Sequence, residues 1–237
     1  MSKRAVILAG GKGTRLRPYT VVLPKPLMPI GNSPILEIII RQLAHHGFDH
    51  ITIAVNHQAE LIQTFFGTGA KWKITIDYSL EDRPLSTMGP LKLIKGLPDD
   101  FLVMNGDILT DLDYAGFFDW HVKRKNLFTV SSYLRKQEVD FGVLEVDGEG
   151  RLLAFKEKPT DTHEVSMGIY MANRKILERI PENIPYGFDA LMLDLIKRKR
   201  PVVVRRYDGY WLDIGRPDDY VQAIDEFEKM RGKFHCE

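Results

Sequence analysis

The chain is 237 residues long, a length that accommodates one large domain or two small ones. It is 44% hydrophobic and 27% charged, values typical of globular proteins, which excludes a disordered or collagen-like chain. Its 33 basic and 32 acidic residues leave a net charge of +1, so a uniformly basic, nucleic-acid-coating protein is excluded as well.

The cysteine content and the apolar segments bear on the compartment. Cys236 has no second cysteine to pair with, which excludes an internal disulfide and a cysteine-based zinc site. The first apolar run ends at Gly10, too early for a signal peptide, and no run approaches the roughly 18 apolar residues of a membrane-spanning helix. We therefore expect a soluble cytoplasmic protein without a membrane partner.

Apolar runs alternate with helix-period segments along the first half of the chain. We predict strands at residues 5–9, 51–55, 73–78 and 101–105. A first helix is expected to have Ser33 as its N-cap and Pro34 as its first residue. Further helices are predicted at 58–66, 90–95 and 114–125. Strands separated by helices indicate right-handed crossovers and a largely parallel sheet.

The second half of the chain has a different pattern of predicted elements. Strands with short connections are predicted at 127–133, 141–146 and 152–156, with a hairpin turn at 147–150. Helices at 174–180 and 188–197, strands at 202–207 and 210–212, and a helix over 217–231 complete the prediction. This pattern indicates one α/β domain whose second half is a mixed sheet.

A glycine-rich, basic loop follows the first predicted strand. Gly10, Gly11 and Gly13 allow close approach of the backbone to a ligand, while Lys12 and Arg15 add positive charge. The loop lies at the carboxyl end of a strand, where open α/β sheets bind ligands. Its spacing excludes the dinucleotide fingerprint and the Walker motif. The loop therefore predicts an anion site that uses neither motif.

Two stretches carry a family resemblance. L-A-G-G-K-G-T-R-L-R-P at 8–18 and P-K-P-L at 24–27 resemble the signature of the sugar-1-phosphate nucleotidylyltransferases, the NDP-sugar pyrophosphorylases. Three further motifs of that family follow in its order, N-G-D at 105–107, F-K-E-K-P at 155–159 and W-L-D-I-G at 211–215. The resemblance covers nearly the whole chain. Within that family, the general character of the sequence resembles the mannose-1-phosphate and heptose-1-phosphate guanylyltransferases most.

The resemblance implies both a fold and a reaction. The fold is a single Rossmann-like α/β domain spanning 1–237, with a mostly parallel mixed central sheet flanked by helices. Residues 1–126 would mainly bind the nucleotide, and residues 127–237 mainly the sugar phosphate. The reaction is in-line attack of a sugar 1-phosphate on the α-phosphorus of a nucleoside triphosphate, with pyrophosphate leaving, and it depends on positioning and charge stabilisation.

The same resemblance implies roles for four side chains. Arg15 would stabilise the departing pyrophosphate, and Lys25 would contact the α-phosphate and the attacking phosphate. Asp107 and Asp213 would hold Mg²⁺, a cation that prefers hard oxygen ligands shared with phosphates.

The remaining family positions map to two sets of residues. The nucleotide-binding set is Leu8, Ala9, Gly10, Gly11, Gly13, Thr14, Arg15, Lys25, Glu81, Gly89 and Asp107. The sugar-phosphate-binding set is Gly142, Glu157, Lys158 and Gly168. Met167 stands where many relatives carry Asn or Thr, and a thioether cannot make the same hydrogen bonds, so the identity of the sugar stays open.

Glu81 bears on the choice of base. A carboxylate only accepts hydrogen bonds, and guanine presents two adjacent donors on its Watson–Crick edge, whereas uracil and thymine present one donor between two acceptors. GTP is therefore our first expectation, and CTP is second. The same reaction with UTP or dTTP, or a non-catalytic regulatory homologue, are the alternatives.

A different class of partner, nucleic acid, would rest on the basic run at 197–200 and on Arg205 and Arg206, whose side chains could bind phosphates. We interpret the run at 197–200 instead as a solvated helix end, where cations complement the helix dipole. No nucleic-acid partner is expected. The oligomeric state stays open, a homodimer included.

Overall fold

The structure is a computed structural model that describes residues 2–56 and 58–234, so Cys236 lies outside the described residues. Its strands are β1 (Lys3–Leu8), β2 (Pro29–Ile30), β3 (Ser33–Pro34), β4 (Phe48–Val55), β5 (Thr75–Leu80), β6 (Asp100–Asn105), β7 (Ile108–Thr110), β8 (Phe128–Glu138), β9 (Val143–Val146), β10 (Leu152–Lys156), β11 (Thr160–Asn173), β12 (Val202–Arg206) and β13 (Trp211–Asp213).

The α-helices are α1 (Ile35–His45), α2 (Ala59–Phe66), α3 (Tyr114–Arg124), α4 (Phe188–Lys197) and α5 (Pro217–Met230). Short 3₁₀ helices cover Thr14–Leu16, Tyr19–Val21, Lys25–Leu27, Ala70–Trp72, Gly89–Leu93, Arg174–Arg179 and Arg231–Phe234. Within the described ranges, no helix combines the length and the apolar character needed to cross a bilayer.

The central sheet has seven strands in the order β12-β8-β11-β6-β1-β4-β5. Strands β6, β1, β4 and β5 run parallel, β11 is antiparallel to both of its neighbours, and β12 is parallel to β8. The predicted α/β fold with a mostly parallel mixed sheet flanked by helices is therefore confirmed.

Strand β1 runs through the centre of the molecule and is buried on both faces. Ile7 belongs to a core that includes Ile39 of α1, whereas Val6 belongs to a second core that includes Leu191 of α4. Burial on both sides explains why β1 reads as a continuous apolar run. The chain leaves this buried strand at the glycine loop, which places the loop at the carboxyl edge of the sheet.

The predicted start of the first helix is wrong. Helix α1 begins at Ile35, because Ser33 and Pro34 form β3 and pair antiparallel with β2. The Ile35 amide donates to the Met28 carbonyl at 3.0 Å, which closes this small hairpin. Pro34 is extended, with ψ 149°, and serves as the N-cap without a side-chain hydrogen bond. Ser33 therefore caps nothing here, since the local pairing of strands takes precedence over the capping preference.

Four strands were not predicted, the two-residue strands β2 and β3, the short β7 and the long β11. Strand β11 pairs with β8 from Ala172 opposite Phe128 to Thr160 opposite Glu138, and β8 itself extends beyond its predicted end at 133. Strand β12 pairs with β8 only as far as Ser132. Residues 133–138 and 160–165 therefore form a two-stranded extension of the sheet, here called the ribbon, and most of its residues are exposed.

Candidate active site

A cavity of about 410 Å³ opens at the carboxyl ends of β1 and β6, and we call it the β1 cavity. The members of the predicted nucleotide-binding set that line it are Leu8, Ala9, Gly10, Gly11, Lys25, Glu81 and Asp107. Lys12 lines it too. The glycine loop and two opposite charges thus meet in one concave site.

Gly10 shows why the loop needs a residue without a side chain. A β-carbon at this position would lie 2.8 Å from Glu81 Oε1 and 3.3 Å from the β-carbon of Asn56. Gly13 and Thr14 are not among the described residues that line the β1 cavity. They form the turn that follows Gly10 and Gly11 along the chain. The Thr20 hydroxyl donates to the Gly13 carbonyl at 2.7 Å and holds that turn in place.

Lys25 and the two predicted metal aspartates come together at the floor of the site. The Lys25 ammonium forms an ion pair with Asp107 Oδ2, and both side chains are largely buried. The Ile214 amide donates to the Asp107 carbonyl at 3.0 Å, and Asp213 pairs with Ile108 between β13 and β7. Residues more than 100 positions apart in sequence are thereby fixed side by side.

Arg15 approaches the same cluster from the glycine loop. A β-carbon at Gly215 would lie 3.3 Å from Asp213 Oδ2 and 3.6 Å from Arg15 Nη2, so the guanidinium and the carboxylate lie near the same point. Arg15 is exposed and does not line the β1 cavity in the described residues. It therefore stands at the rim, where it can meet a ligand that extends out of the cavity.

Burial raises the pKa of Asp213, and the negative charge of Asp107 raises this pKa further, whereas Lys25 and Arg15 oppose the shift. Asp107 Oδ1 is buried and has no hydrogen-bond partner among the described residues. Two facing carboxylates with an unsatisfied oxygen favour a hard divalent cation. The residues present therefore fit Mg²⁺.

Glu81 is held rigidly against the glycine loop. Burial raises the pKa of Glu81, while the Leu85 amide, which donates to Oε2 at 2.9 Å, lowers it. The Asn56 side chain donates to the Glu81 carbonyl at 3.1 Å. Gly89 is buried, and its amide donates to the Tyr186 carbonyl at 3.0 Å. Gly89 therefore helps to position the segment that follows Glu81.

A second cavity of about 250 Å³ lies beside the first, and we call it the β11 cavity. Gly168 and Asp213 line it, and Asn105 lines both cavities. Gly168 has φ +73°, and a β-carbon there would lie 2.7 Å from Asn105 Nδ2. Met167 is buried, and its carbonyl accepts the indole N–H of Trp211 at 3.0 Å.

Gly142, Glu157 and Lys158 are placed elsewhere. They lie at the base of the exposed β9–β10 hairpin and line neither cavity in the described residues. A β-carbon at Gly142 would lie 3.2 Å from Glu157 Oε2, so these two are neighbours. The structure thus brings together most of the nucleotide-binding set and Gly168, but not these three members of the sugar-phosphate-binding set.

Several lining residues were not singled out from the sequence. In the β1 cavity these include Asn56 and Thr87, and in the β11 cavity Arg135, Tyr170 and Trp211. Trp211 belongs to the W-L-D-I-G motif, which was a usable signal. Thr87 lies in the segment 81–89, which follows the third predicted strand, and Tyr170 follows Gly168 closely, whereas Asn56 and Arg135 lie where no motif was recognised.

Comparison with known proteins gives consistent results. The sequence model of the nucleotidyl transferase family matches residues 4–230. A UTP–glucose-1-phosphate uridylyltransferase from Synechocystis is 34% identical to the chain, over 93% of the chain and 62% of the relative. A D-glycero-α-D-manno-heptose 1-phosphate guanylyltransferase from Aneurinibacillus thermoaerophilus is 33% identical, over 94% of the chain and 98% of the relative.

Solved structures agree with the fold. The crystal structure of HddC from Yersinia pseudotuberculosis superposes with a TM-score of 0.73 and 28% identity, covering 95% of this chain and 99% of that one. HddC has also been crystallised in complex with GMP-PN. The chain spans less than two thirds of some relatives, 62% of the Synechocystis protein among them.

Proposed function

The chain belongs to the nucleotidyl transferase family, and on that premise we propose that it is an enzyme that joins a nucleoside triphosphate to a sugar 1-phosphate and releases pyrophosphate. The observation that supports this most directly is the junction of the two cavities at Asn105–Asp107. There, a cation and two carboxylates meet between a glycine loop and a second concave site. Two anionic reactants can be held on either side of such a junction.

Each residue near this junction would contact a different part of the two phosphate-bearing substrates. Lys25 lines the β1 cavity and pairs with Asp107, two residues from Asn105, which lines both cavities. It would contact the α-phosphate and the attacking phosphate, cancelling their mutual repulsion. Arg15 at the rim would bind the outer phosphates and stabilise the charge of the leaving pyrophosphate. The backbone of Gly10 and Gly11 would let the nucleotide approach closely.

Asp107 and Asp213 would hold Mg²⁺. The bound cation would neutralise phosphate oxygens and align them for in-line attack. The ion pair between Lys25 and Asp107 already orients one of the two carboxylates, so this pair prepares the site before any ligand enters.

For the base we propose guanine. Glu81 presents Oε1 toward the Gly10 side of the β1 cavity, and a carboxylate there can accept from the guanine N1–H and N2–H₂ groups. The relatives point both ways, since one is named for uridylyl transfer and another for guanylyl transfer. CTP, UTP and dTTP are the alternatives.

For the sugar phosphate we assign Gly168 to the wall of the pocket. Gly142, Glu157 and Lys158 would contact the sugar from the base of the β9–β10 hairpin. We also propose that residues 1–237 act as one domain. The nucleotide would be held mainly by 1–126 and the sugar phosphate mainly by 127–237, because the lining of the two cavities divides along the chain in that way apart from Asn105.

Pyrophosphate release measured with Mg²⁺ tests this function. GTP, CTP, UTP, dTTP and ATP are each combined with a panel of sugar 1-phosphates, and turnover with GTP is expected to exceed turnover with the other four. Lys25→Ala should abolish turnover in a protein that still folds. Absence of turnover with every pair, in protein that is folded and binds no nucleotide, would overturn the proposed function.

A further inference from the structure

Arg135 lies on the ribbon and lines the β11 cavity together with Asp213 and Gly168. It shares a ribbon face with Tyr133, two residues earlier on β8, whose ring lies 5.3 Å from the ring of Trp211. His163 of β11 pairs with Arg135 in register and so lies on the same face. The ribbon thus presents a cationic side chain to the cavity proposed to hold the sugar.

The guanidinium of Arg135 has no carboxylate partner among the residues that the structure describes. In the part of the chain that the structure describes, it forms no ion pair and no hydrogen bond, even though Asp213 lines the same cavity. Arg206, which lies on β12 beside the other face of the ribbon, behaves differently because it pairs with Glu164 at 3.4 Å. Arg135 is therefore available to a ligand, whereas Arg206 is already occupied.

The other polar groups around the β11 cavity are largely engaged. The Trp211 indole donates to the Met167 carbonyl at 3.0 Å, and the Gly168 amide donates to the Ser166 hydroxyl at 3.2 Å. The Ser166 hydroxyl donates to Tyr170 at 3.2 Å. Among the described residues that line the cavity, the strongest hydrogen-bond donor without a partner is thus the positively charged guanidinium of Arg135. A charged donor favours an anion over a hydroxyl group as its ligand.

In the proposed function the 1-phosphate of the sugar would not need this charge, because Lys25 and the Mg²⁺ that Asp107 and Asp213 would hold would bind it. We propose that Arg135 is a specificity residue that binds a second anionic group on the sugar, a carboxylate or a second phosphate. This inference rests on the proposed function. Guanidinium groups bind both kinds of anion through paired hydrogen bonds, so the sugar is an acidic sugar 1-phosphate.

Three substrates that share one ring configuration distinguish the possibilities. They are glucose 1-phosphate, glucuronic acid 1-phosphate and glucose 1,6-bisphosphate, and the matching mannose series is run beside them. With the preferred triphosphate, kcat/KM is expected to be about tenfold higher for at least one acidic member than for its neutral parent. The carboxylate and bisphosphate arms identify which anion is bound.

The variant Arg135→Ala is expected to abolish this preference, lowering kcat/KM for the acidic substrate about tenfold more than for the neutral one, mainly through KM. Lys136→Ala is the matched control, since it removes the same charge from the next residue, which faces away from Arg135. The control should keep the acidic preference.

Two results would overturn the inference and leave the proposed function in place. One is equal turnover of acidic and neutral sugars by the unmodified protein. The other is an equal loss on both substrates in Arg135→Ala, which would assign Arg135 to the shared 1-phosphate. Absence of turnover with every triphosphate and sugar would instead overturn the proposed function, and the inference with it.

Discussion

Glu81 is the residue at which the choice of base can be tested. Glu81→Gln replaces an oxygen acceptor with an amide donor, which opposes the guanine donors and suits uracil. We expect kcat/KM with GTP to fall about 10- to 100-fold and the value with UTP to rise. The exposed Asp82→Asn removes the same charge one residue away and should leave the base preference unchanged.

The pH profile gives an independent test of Glu81. Burial raises its pKa, so the carboxylate becomes protonated at a higher pH than an exposed glutamate would. A protonated Glu81 cannot accept from both guanine donors. The value of kcat/KM with GTP should therefore fall as the pH falls through this raised pKa, and Glu81→Gln should lack that limb. A limb that persists in Glu81→Gln would assign it to another group.

Asp213 tests the metal site. We expect Mg²⁺ to raise the Tm of the unmodified protein, and we expect Asp213→Asn to remove this increase and to lower Mg²⁺-dependent turnover about 100-fold or more. The exposed Asp208→Asn serves as the control. Normal turnover of a folded Asp213→Asn protein would contradict the assignment.

Without metal, the same variant should be more stable than the parent at neutral pH. Because burial and Asp107 raise the pKa of Asp213, the folded protein holds that proton more tightly than the unfolded chain does. The stability that this proton provides is present at low pH and is lost as the pH rises through the raised pKa. Asparagine carries no such charge, so the difference in Tm between the two proteins should develop as the pH rises toward the raised pKa and reach its full size above it.

At the scale of elements, the bulge in β11 shapes the β11 cavity. The register of β11 against β8 shifts between Ser166 and Tyr170, and Gly168 occupies the bulge with φ +73°. Gly168→Ala would add a β-carbon 2.7 Å from Asn105 Nδ2 and 2.9 Å from Ile108 Cδ1. We expect a loss of roughly 1–3 kcal/mol and a fall in Tm of about 3–10 °C, with a higher KM for the sugar phosphate.

Gly148→Ala is the control for that prediction. Gly148 lies in the turn between β9 and β10, and a β-carbon there would meet nothing within 4 Å. Its Tm should match that of the parent. Equal Tm values for the two alanine variants would show that the bulge tolerates a side chain.

The same bulge explains part of what the sequence could not predict. Buried strands such as β1 and β4 read as apolar runs, and helix α4 was predicted with its observed bounds. Strand β11 begins with T-D-T-H-E, which pairs only within the exposed ribbon, and a glycine interrupts its centre. The first half shows no apolar alternation because most of the ribbon is exposed, whereas the second half is buried but follows the glycine as a run of only four core residues, 169–172.

The candidate site divides in the same way. The glycine loop, Lys25, Asp107 and Asp213 carry family motifs and could be named from sequence. Arg135 could not, because the strand was predicted to end at 133 and its face was therefore undefined. The juxtaposition of Lys25 with Asp107 depends on tertiary packing over 82 positions, which no local pattern encodes.

At the scale of the whole molecule, one sheet joins the two halves of the chain. Strand β11 of the second half pairs directly with β6 of the first, so residues 1–126 alone would expose β6 as an unpaired, apolar edge. Exposed edges of that kind promote aggregation. We expect residues 1–126 expressed alone to be insoluble, whereas two independent domains would give a soluble, folded fragment.

Tryptophan fluorescence tests the same unity in the full chain. Trp72 and Trp120 report on the first half of the chain, and Trp211 reports on the second. The variant Trp211→Phe keeps only the first-half probes, and the double variant Trp72→Phe with Trp120→Phe keeps only Trp211. Because the sheet is continuous, the denaturant midpoints of the two proteins should shift by the same amount when GTP is added, although the β1 cavity lies in the first half. A shift confined to the first-half probes would mean that the halves unfold separately.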